Sequence, residues 1–342
     1  MNNRVQQIFK PEFQFGMGGV SLGSEFEIVT DAQAERTMEA AWNAGVRYYD
    51  VSPWYGLGEA ERRFGRFLHN QPRDSYVLST KVGKLLKASP VNESKKFFPF
   101  SKSPNNVVFD YTADAVRRSV EDSLQRLGID RIDVLFVHDV SPDNGFLPRP
   151  WEEEFATALK GAFPELSRMR EEGLIKAWGV GVNSPEPIMR VIQESDPDVC
   201  LLASQYSLVN HENAANNVFP IARKHDVSFV MGSALNAGFI SGSPRYNYGD
   251  ARFDIPQKHI EKRRRLRAVA DQFGVDLRTA ALHFSAAPDV AAALIVGMRT
   301  EEEALANASS MKDKIPRAFW QELRSQQLIE ENAPVPDGDF VI

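Results

Sequence analysis

The stretch "VRYYDVSPWYGLGEAERRFGRFL" (residues 46–68) runs from an apolar, β-prone segment through a Ser-Pro break and a Gly-rich turn into a charged amphipathic segment. It is one strand–turn–helix unit, and the fold depends on whether the unit repeats. It does. Apolar or β-branched runs recur at 76–81, 132–138, 176–181, 199–203, 227–233 and 291–296, with a weaker candidate at 15–22. The segments between them carry helix signals. "TDAQAERTMEAAWNAG" (30–45) opens with a Thr30–Gln33 capping-box pattern, aligns Ala34, Met38, Ala41 and Trp42, and stops at Gly45. "TADAVRRSVEDSLQRLG" (112–128) places Val116, Val120, Leu124 and Leu127 on one stripe and stops at Gly128; Gly173 marks another helix end.

About eight strand–helix alternations without a composition break indicate a parallel sheet with crossover helices. An open doubly wound sheet and a closed (β/α)8 TIM barrel both fit, and the count of eight favours the barrel as one domain over 1–342. Three connections are long: 82–111, 139–150 and 234–256. All three leave strand C-terminal ends, the face on which such barrels carry their sites. The tail 331–342, "ENAPVPDGDFVI", is expected to be extended.

Net charge is −6 and no long basic block occurs, which argues against a nucleic-acid partner. The cluster at 262–267 (KRRRLR) reads as a solvated helix face. Cys200 is the single cysteine, so no internal disulfide can form and a reducing compartment fits. No 18-residue apolar run and no signal-like N-terminus is present, so a cytoplasmic protein without membrane contact is expected. The six histidines show no metal-ligand spacing, and neither G-x-S-x-G nor a Walker motif occurs.

Chemistry gathers at the ends of three consecutive strands. The second ends in Asp50 with Tyr55 just beyond, the third in Lys81, the fourth in His138. Each alone is ordinary: a turn cap, a surface aromatic, a strand-end charge, a structural histidine. Together in a barrel they converge on one cavity. A phenol titrates near ~10, and an ammonium within ~4–6 Å favours the phenolate. Lowering that value by about three units takes roughly 4 kcal/mol. Asp50 would hold Lys81 charged, and His138 could orient a substrate oxygen. A phenol–ammonium acid/base with neither nucleophile nor metal suits carbonyl–alcohol interconversion, which needs a hydride carrier.

The quartet Asp50, Tyr55, Lys81 and His138, set in "YYDVSPWYGLGEAERRFGRFL", resembles the aldo-keto reductase superfamily over roughly residues 15–307. The resemblance implies a (β/α)8 barrel that moves hydride between NAD(P)(H) and a carbonyl or alcohol. It makes Tyr55 the proton donor or acceptor, Lys81 the group that lowers its pKa, Asp50 the partner of Lys81, and His138 the substrate-oxygen ligand. Ala60 stands where the family usually has serine. For the cofactor it implies Gly18 and Gly19, Asp50, Gln205, the cradle Ser233, Leu235, Asn236 and Gly238, and the adenosine-end residues Gly297, Arg299, Glu303 and Asn307. Asn183 stands near the family's Ser-Asn pair and is assigned the amide contact; Gly232 replaces the usual stacking aromatic. Glu301, Glu302 and Glu303 tip the cofactor toward NAD, with NADP as the alternative, since carboxylates near the ribose repel a 2′-phosphate. Arg299 argues the other way, and the three glutamates also suit a helix N-terminus. Within the superfamily, "SVEDSLQRLGIDRIDVLFVHD" (119–139) looks most like bacterial aldose and pyridoxal dehydrogenases. That implies oxidation of a cyclic hemiacetal to a lactone, with Trp54, Tyr55, His138, Asp139 and the loop residues Phe97, Phe98 and Phe100 contacting a small-molecule substrate. An NADPH-dependent aldehyde reductase and a non-catalytic cofactor-sensing subunit are the other classes the resemblance allows.

Overall fold

The computed structural model describes residues 3–91, 93–246 and 255–336. Eight parallel strands close into a barrel: β1 Phe15–Gly18, β2 Tyr48–Asp50, β3 Val77–Val82, β4 Val134–His138, β5 Ala177–Val182, β6 Val199–Ala203, β7 Ser228–Gly232 and β8 Ala291–Gly297. Neighbours in sequence are neighbours in the ring, and β1 pairs with β8 to close it. The expected (β/α)8 barrel is the fold. The first strand stops at Gly18 rather than 22: the Gly19 N–H makes the last rung to the Asp50 carbonyl at 2.8 Å, and a 3-10 turn, Ser21–Gly23, follows.

Strand alternation decides which residues fill the barrel. Tyr48, Val77, Val134, Phe136, Val199, Leu201, Val230 and Ile295 belong to one buried cluster. The intervening residues, such as Leu78, Leu135 and Val137, pack with the surrounding helices in a second. Val5, Ile8 and Phe9 join the first cluster, so the helix Asn3–Ile8 plugs the N-terminal end of the barrel. The same alternation sets Asp50 two residues above Tyr48, Lys81 above Val77 and Ser79, and His138 above Val134 and Phe136. Apolar rungs at the bottom therefore lead to polar rungs at the top.

The bottom is stapled by two buried carboxylates. Asp133 accepts from Arg73 at 2.6 Å, from the Leu78 N–H at 2.9 Å and pairs with Lys176 at 2.7 Å. Asp198 takes Arg4 and Arg170, each at 2.9 Å. Helix ends follow the sequence signals. Thr30 and Thr112 cap their helices by accepting from the Gln33 and Ala115 N–H groups, and Gly128 terminates the second at φ 64°. The Gln33 side chain does not close the capping box; it donates to the Arg299 carbonyl at 3.1 Å and ties that helix to the turn after β8.

Segment 82–111 is not an irregular loop. Lys84–Ala88 and Asn105–Phe109 pair as an antiparallel hairpin. The basic cluster is not simply solvated: Arg263 donates to the carbonyls of Phe239 and Ser243, Lys262 to Val209 and Arg265 to Gln326. Long basic side chains on the helix Gln257–Phe273 thus fasten neighbouring segments. In the expected tail, Pro334 accepts from the Tyr206 hydroxyl at 3.0 Å and Ala333 is buried, so this part packs on the barrel; residues 337–342 lie outside the described residues.

His211 joins the loop after β6 to the C-terminal segment. Its Nδ1 meets the Ser207 carbonyl at 3.0 Å, and its Nε2 accepts from the Glu330 N–H at 3.1 Å. Burial and then the Lys262 charge push its pKa down to about 4. The unfolded chain protonates this group near ~6.5, so below that pH it binds more protons than the folded one. Stability is expected to be full above pH 7 and to fall as pH drops from about 6.5 toward 4. A Tm measured across this range should decline in the wild type and decline less in His211→Gln; equal slopes would contradict the assignment.

Candidate active site

The turn that carries Tyr55 is built from unusual backbone. Gly56, Leu57 and Gly58 all lie at positive φ, 63°, 55° and 92°. A Cβ on Gly56 would sit 2.4 Å from the Gly23 carbonyl oxygen, so the turn rests directly on the loop after β1. The hairpin segment braces it: Ser101 donates to the Gly56 carbonyl at 2.8 Å, and Ser103 to that of Leu57 at 2.7 Å. Arg63, on the following helix Glu59–Leu68, is buried and donates to the carbonyls of Leu22 and Val29 and to Ser24. The loops after β1 and β2 are thereby locked together.

Above the barrel core, Lys81 Nζ donates to Asp50 Oδ1 at 2.6 Å and to the Val51 carbonyl at 3.0 Å. The second Asp50 oxygen accepts from Ser79 at 2.6 Å, and Ser79 also meets the Tyr48 hydroxyl at 2.9 Å. Both ionic side chains are at most 2% exposed. Lys81 Nζ lies 4.7 Å from the centre of the Tyr55 ring, and that ring meets His138 edge-on, centroids 5.8 Å apart at 88°. All four residues expected to converge do so.

His138 has a defined protonation pattern. Its Nδ1 lies 3.1 Å from Ser52 Oγ, which also accepts the Trp54 N–H at 3.1 Å. Its Nε2 faces Asp139 Oδ2 at 3.4 Å, where an N–H is favoured over a lone pair. The carboxylate favours the Nε2–H tautomer, in which Nδ1 accepts from Ser52. Burial, followed by the charges of Lys84 and Lys81, holds the imidazole well below its usual pKa. Asp139 itself sits at φ 50°, uncommon for a residue with a side chain.

The mouth combines aromatic and ionic groups. Trp54 packs against Phe97 at 5.1 Å and Phe98 at 5.2 Å, and Phe97 packs against Phe146 at 4.5 Å. Phe98 is buried beneath this cluster with Leu57 and Leu86. Phe100 is 42% exposed and lies outside this cluster. Phe146, from the loop after β4, takes a place the sequence reading had not given it. Lys84 Nζ pairs with Asp139 at 2.5 Å and lies 4.4 Å from the Trp54 ring centre.

The residues expected to hold a cofactor fall along the same rim. Gly18 is in register with Asp50 on one side and Gly297 on the other. Gly19 is occupied by packing, since a Cβ there would press on the Phe64 ring and the Asp50 carbonyl at 3.0 Å. Gln205 donates to the Asn183 carbonyl at 2.6 Å, while the Asn183 amide donates to Asp143 at 3.2 Å. After β7, Ser233 has φ 59°, and Asn236, Ala237 and Gly238 have φ 48°, 57° and 86°. Leu235, half-buried, lies within this loop. Consecutive left-handed residues turn backbone amides toward one side, the form of an anion-binding nest, which fits a dinucleotide diphosphate. The Arg299 guanidinium is bracketed by Glu27 and Glu303, each at 3.1 Å, and Glu303 also accepts the Arg299 N–H at 2.7 Å. Asn307 is buried and accepts from Arg278 at 3.2 Å.

A model of the aldo/keto reductase family matches residues 14–327. The chain is 33% identical over 323 residues to D-threo-aldose 1-dehydrogenase of Pseudomonas sp., covering 92% of this chain and 94% of that one. It is 34% identical over 331 residues to pyridoxal 4-dehydrogenase of Microbacterium luteolum, with the same coverages. Among solved structures, aldo-keto reductase AKR11C1 from Bacillus halodurans in its holo form superposes with a TM-score of 0.70 at 22% identity, covering 95% of this chain and 94% of that one. The chain belongs to the aldo/keto reductase family and is an NAD(P)-dependent oxidoreductase. Among the described residues no helix is long and apolar enough to cross a membrane.

Ser52 and Lys84 were not among the expected site residues. Ser52 reads in the sequence as punctuation beside Pro53, and Lys84 as one of several loop lysines. Ser52→Ala removes the hydrogen bond at His138 Nδ1. One hydrogen bond of about 1–1.5 kcal/mol corresponds to a fall in kcat/KM of roughly 5–10-fold. Ser52→Thr is expected to restore the rate, and an unchanged rate in Ser52→Ala would leave Ser52 a packing residue.

Proposed function

We propose that this protein oxidises the C1 hemiacetal of an aldose to a lactone with NAD as the preferred cofactor. The observation that carries the acid/base reading is the buried Asp50–Lys81 pair with its ammonium 4.7 Å from the Tyr55 ring. Two Lys81 donors are spent on Asp50 and Val51, which leaves the third for the phenol as substrate is turned over. In that field Tyr55 takes the anomeric hydroxyl proton as phenolate and returns it as phenol in the reverse direction. His138 donates its Nε2–H to the reacting oxygen and holds C1 over the site. The nicotinamide ring, when bound, supplies the acceptor for the hydride that leaves C1. The hydroxyl thus gives its proton to Tyr55 as the C1–O double bond forms, and atoms and charge balance.

Gly18, Gln205, Asn183, the 233–238 loop and Gly297 would hold the dinucleotide. The preference for NAD rests on Glu27 and Glu303: two carboxylates already bind the one guanidinium that a 2′-phosphate would need. For the substrate, two curated relatives of nearly equal similarity are named for an aldose and for pyridoxal, and both substrates can present a cyclic hemiacetal. Asp139 and Lys84 beside His138 favour the polyol, because hydroxyl groups can pair with a buried charge couple where an apolar substrate would strand it. The Trp54–Phe97–Phe146 cluster favours a flat ring and supports pyridoxal as a second reading.

Steady-state rates with NAD and NADP against L-fucose, D-arabinose, L-galactose and pyridoxal test these assignments together. The aldoses are expected to turn over with NAD, and Glu27→Gln/Glu303→Gln should shift the cofactor ratio toward NADP by about tenfold, as one freed charge-assisted hydrogen bond implies. Turnover of pyridoxal alone would favour the second reading. An unchanged cofactor ratio would remove the argument from the two glutamates.

A further inference from the structure

Three charged groups approach His138 from different elements, and the mechanism above uses only one of them. Lys81 comes from β3, where Asp50 holds it. Asp139 follows His138 directly and reaches back to Nε2 at 3.4 Å. Lys84 enters from the first strand of the hairpin, its side chain 3% exposed, and binds Asp139 Oδ2. Tyr55 meets the imidazole edge-on, and Asp143 lies further out, engaged by Asn183 and Ser184.

The arrangement poses an electrostatic problem. A carboxylate 3.4 Å from an imidazole nitrogen favours the imidazolium, and a charged ring would hold its Nε2–H on Asp139 more tightly than the neutral ring does, in competition with a substrate oxygen. The left-handed backbone of Asp139 keeps the carboxylate at this position despite its cost. Burial offsets it first, and the second ammonium next. Lys84 is buried without a structural reason of the usual kind, since a buried ion pair contributes little net stability. Burial drives its pKa down and Asp139 drives it up, so Lys84 depends on Asp139 for its charge. The Trp54 ring 4.4 Å from Nζ adds a cation–π contact that keeps the ammonium over Asp139.

We propose that Lys84 is a positioning residue: by pairing with Asp139 it keeps His138 a neutral Nε2–H donor for the reacting oxygen. The proposal rests on the reading of His138 as the ligand of that oxygen. It assigns the hairpin after β3 a part in catalysis through electrostatics, separate from its contact with substrate. It also explains why the residue next to His138 is acidic without the imidazole becoming charged. Asp139 and Ser52 bear on which nitrogen carries the proton; Lys84 adds to burial in deciding how many protons the ring carries.

The direct test is an NMR titration of the histidine side-chain nitrogens in 15N-histidine-labelled, cofactor-bound protein without substrate, with His138 assigned through His138→Asn. In the wild type and in Lys84→Arg, His138 is expected to stay a neutral Nε2–H tautomer down to pH 5. In Lys84→Met it should titrate above pH 5, short of the ordinary value of about 6.5 because burial and Lys81 still act on it. The matching rate readout is kcat/KM at pH 5 relative to pH 8, normalised to wild type: at least about 2-fold lower in Lys84→Met, since a ring titrating above pH 5 is more than half charged there, and restored in Lys84→Arg. Lys84→Gln makes the same prediction should the methionine variant fail to fold. A His138 that stays neutral to pH 5 in the charge-removed variants would overturn the proposal, as would a titration that Lys84→Arg does not reverse. A titrating His138 with an unaltered rate profile would overturn the role of His138 in turnover and, with it, the positioning role that depends on it.

Discussion

The site depends on one buried ion pair. Lys81 and Asp50 stand on neighbouring strands at the top of the barrel interior, bonded at 2.6 Å and almost fully removed from water. Such a pair is a poor source of stability, because desolvating two ions consumes most of what their attraction returns, whereas removing one partner costs about 3–5 kcal/mol. Its use is positional. Asp50 is tied by Ser79 on its other oxygen, so the ammonium has little freedom and its field falls on whatever the turn after β2 presents. That turn presents Tyr55.

The rest of the molecule follows from placing that phenol. Three left-handed residues after Tyr55, a close approach of backbone at Gly23 and Gly56, and Ser101 and Ser103 on the turn carbonyls hold the loop in one conformation. Arg63 extends the lock to the loop after β1, which borders the strand ends assigned to the cofactor. The N-terminal end of the barrel, with Asp133 and Asp198 stapling strand starts, carries stability and no proposed chemistry. The division between a stabilising bottom and a reactive top is the one expected of this architecture.

Much of this was legible in the sequence. The strand–helix alternation identified the barrel, and strand-end polarity singled out Asp50, Lys81 and His138, because a period of two forces alternate residues onto the inner face. The residues that escaped notice act through contacts distant in sequence. Lys84 matters because a hairpin folds back over β4, and the segment 82–111 reads as a loop when the pairing of 84–88 with 105–109 is not visible. Phe146 matters because it meets Phe97 across two loops. Phe98 and Phe100 illustrate the converse: a run of aromatics gives no sign of which face is buried until its backbone is fixed. The basic run 262–267 likewise looks solvated until the loop carbonyls it binds are in place.

The central claim is that a neighbouring ammonium makes the Tyr55 phenol acidic enough to exchange protons near neutrality. A 13C NMR titration of ring-labelled tyrosine in the cofactor-bound protein, with the Tyr55 signal assigned by Tyr55→Phe, reads that acidity directly. The account predicts ionisation well below the ordinary value of about 10 in the wild type and a return to about 10 or higher in Lys81→Met. A Tyr55 hydroxyl that ionises at its ordinary value while Lys81 is in place would contradict it.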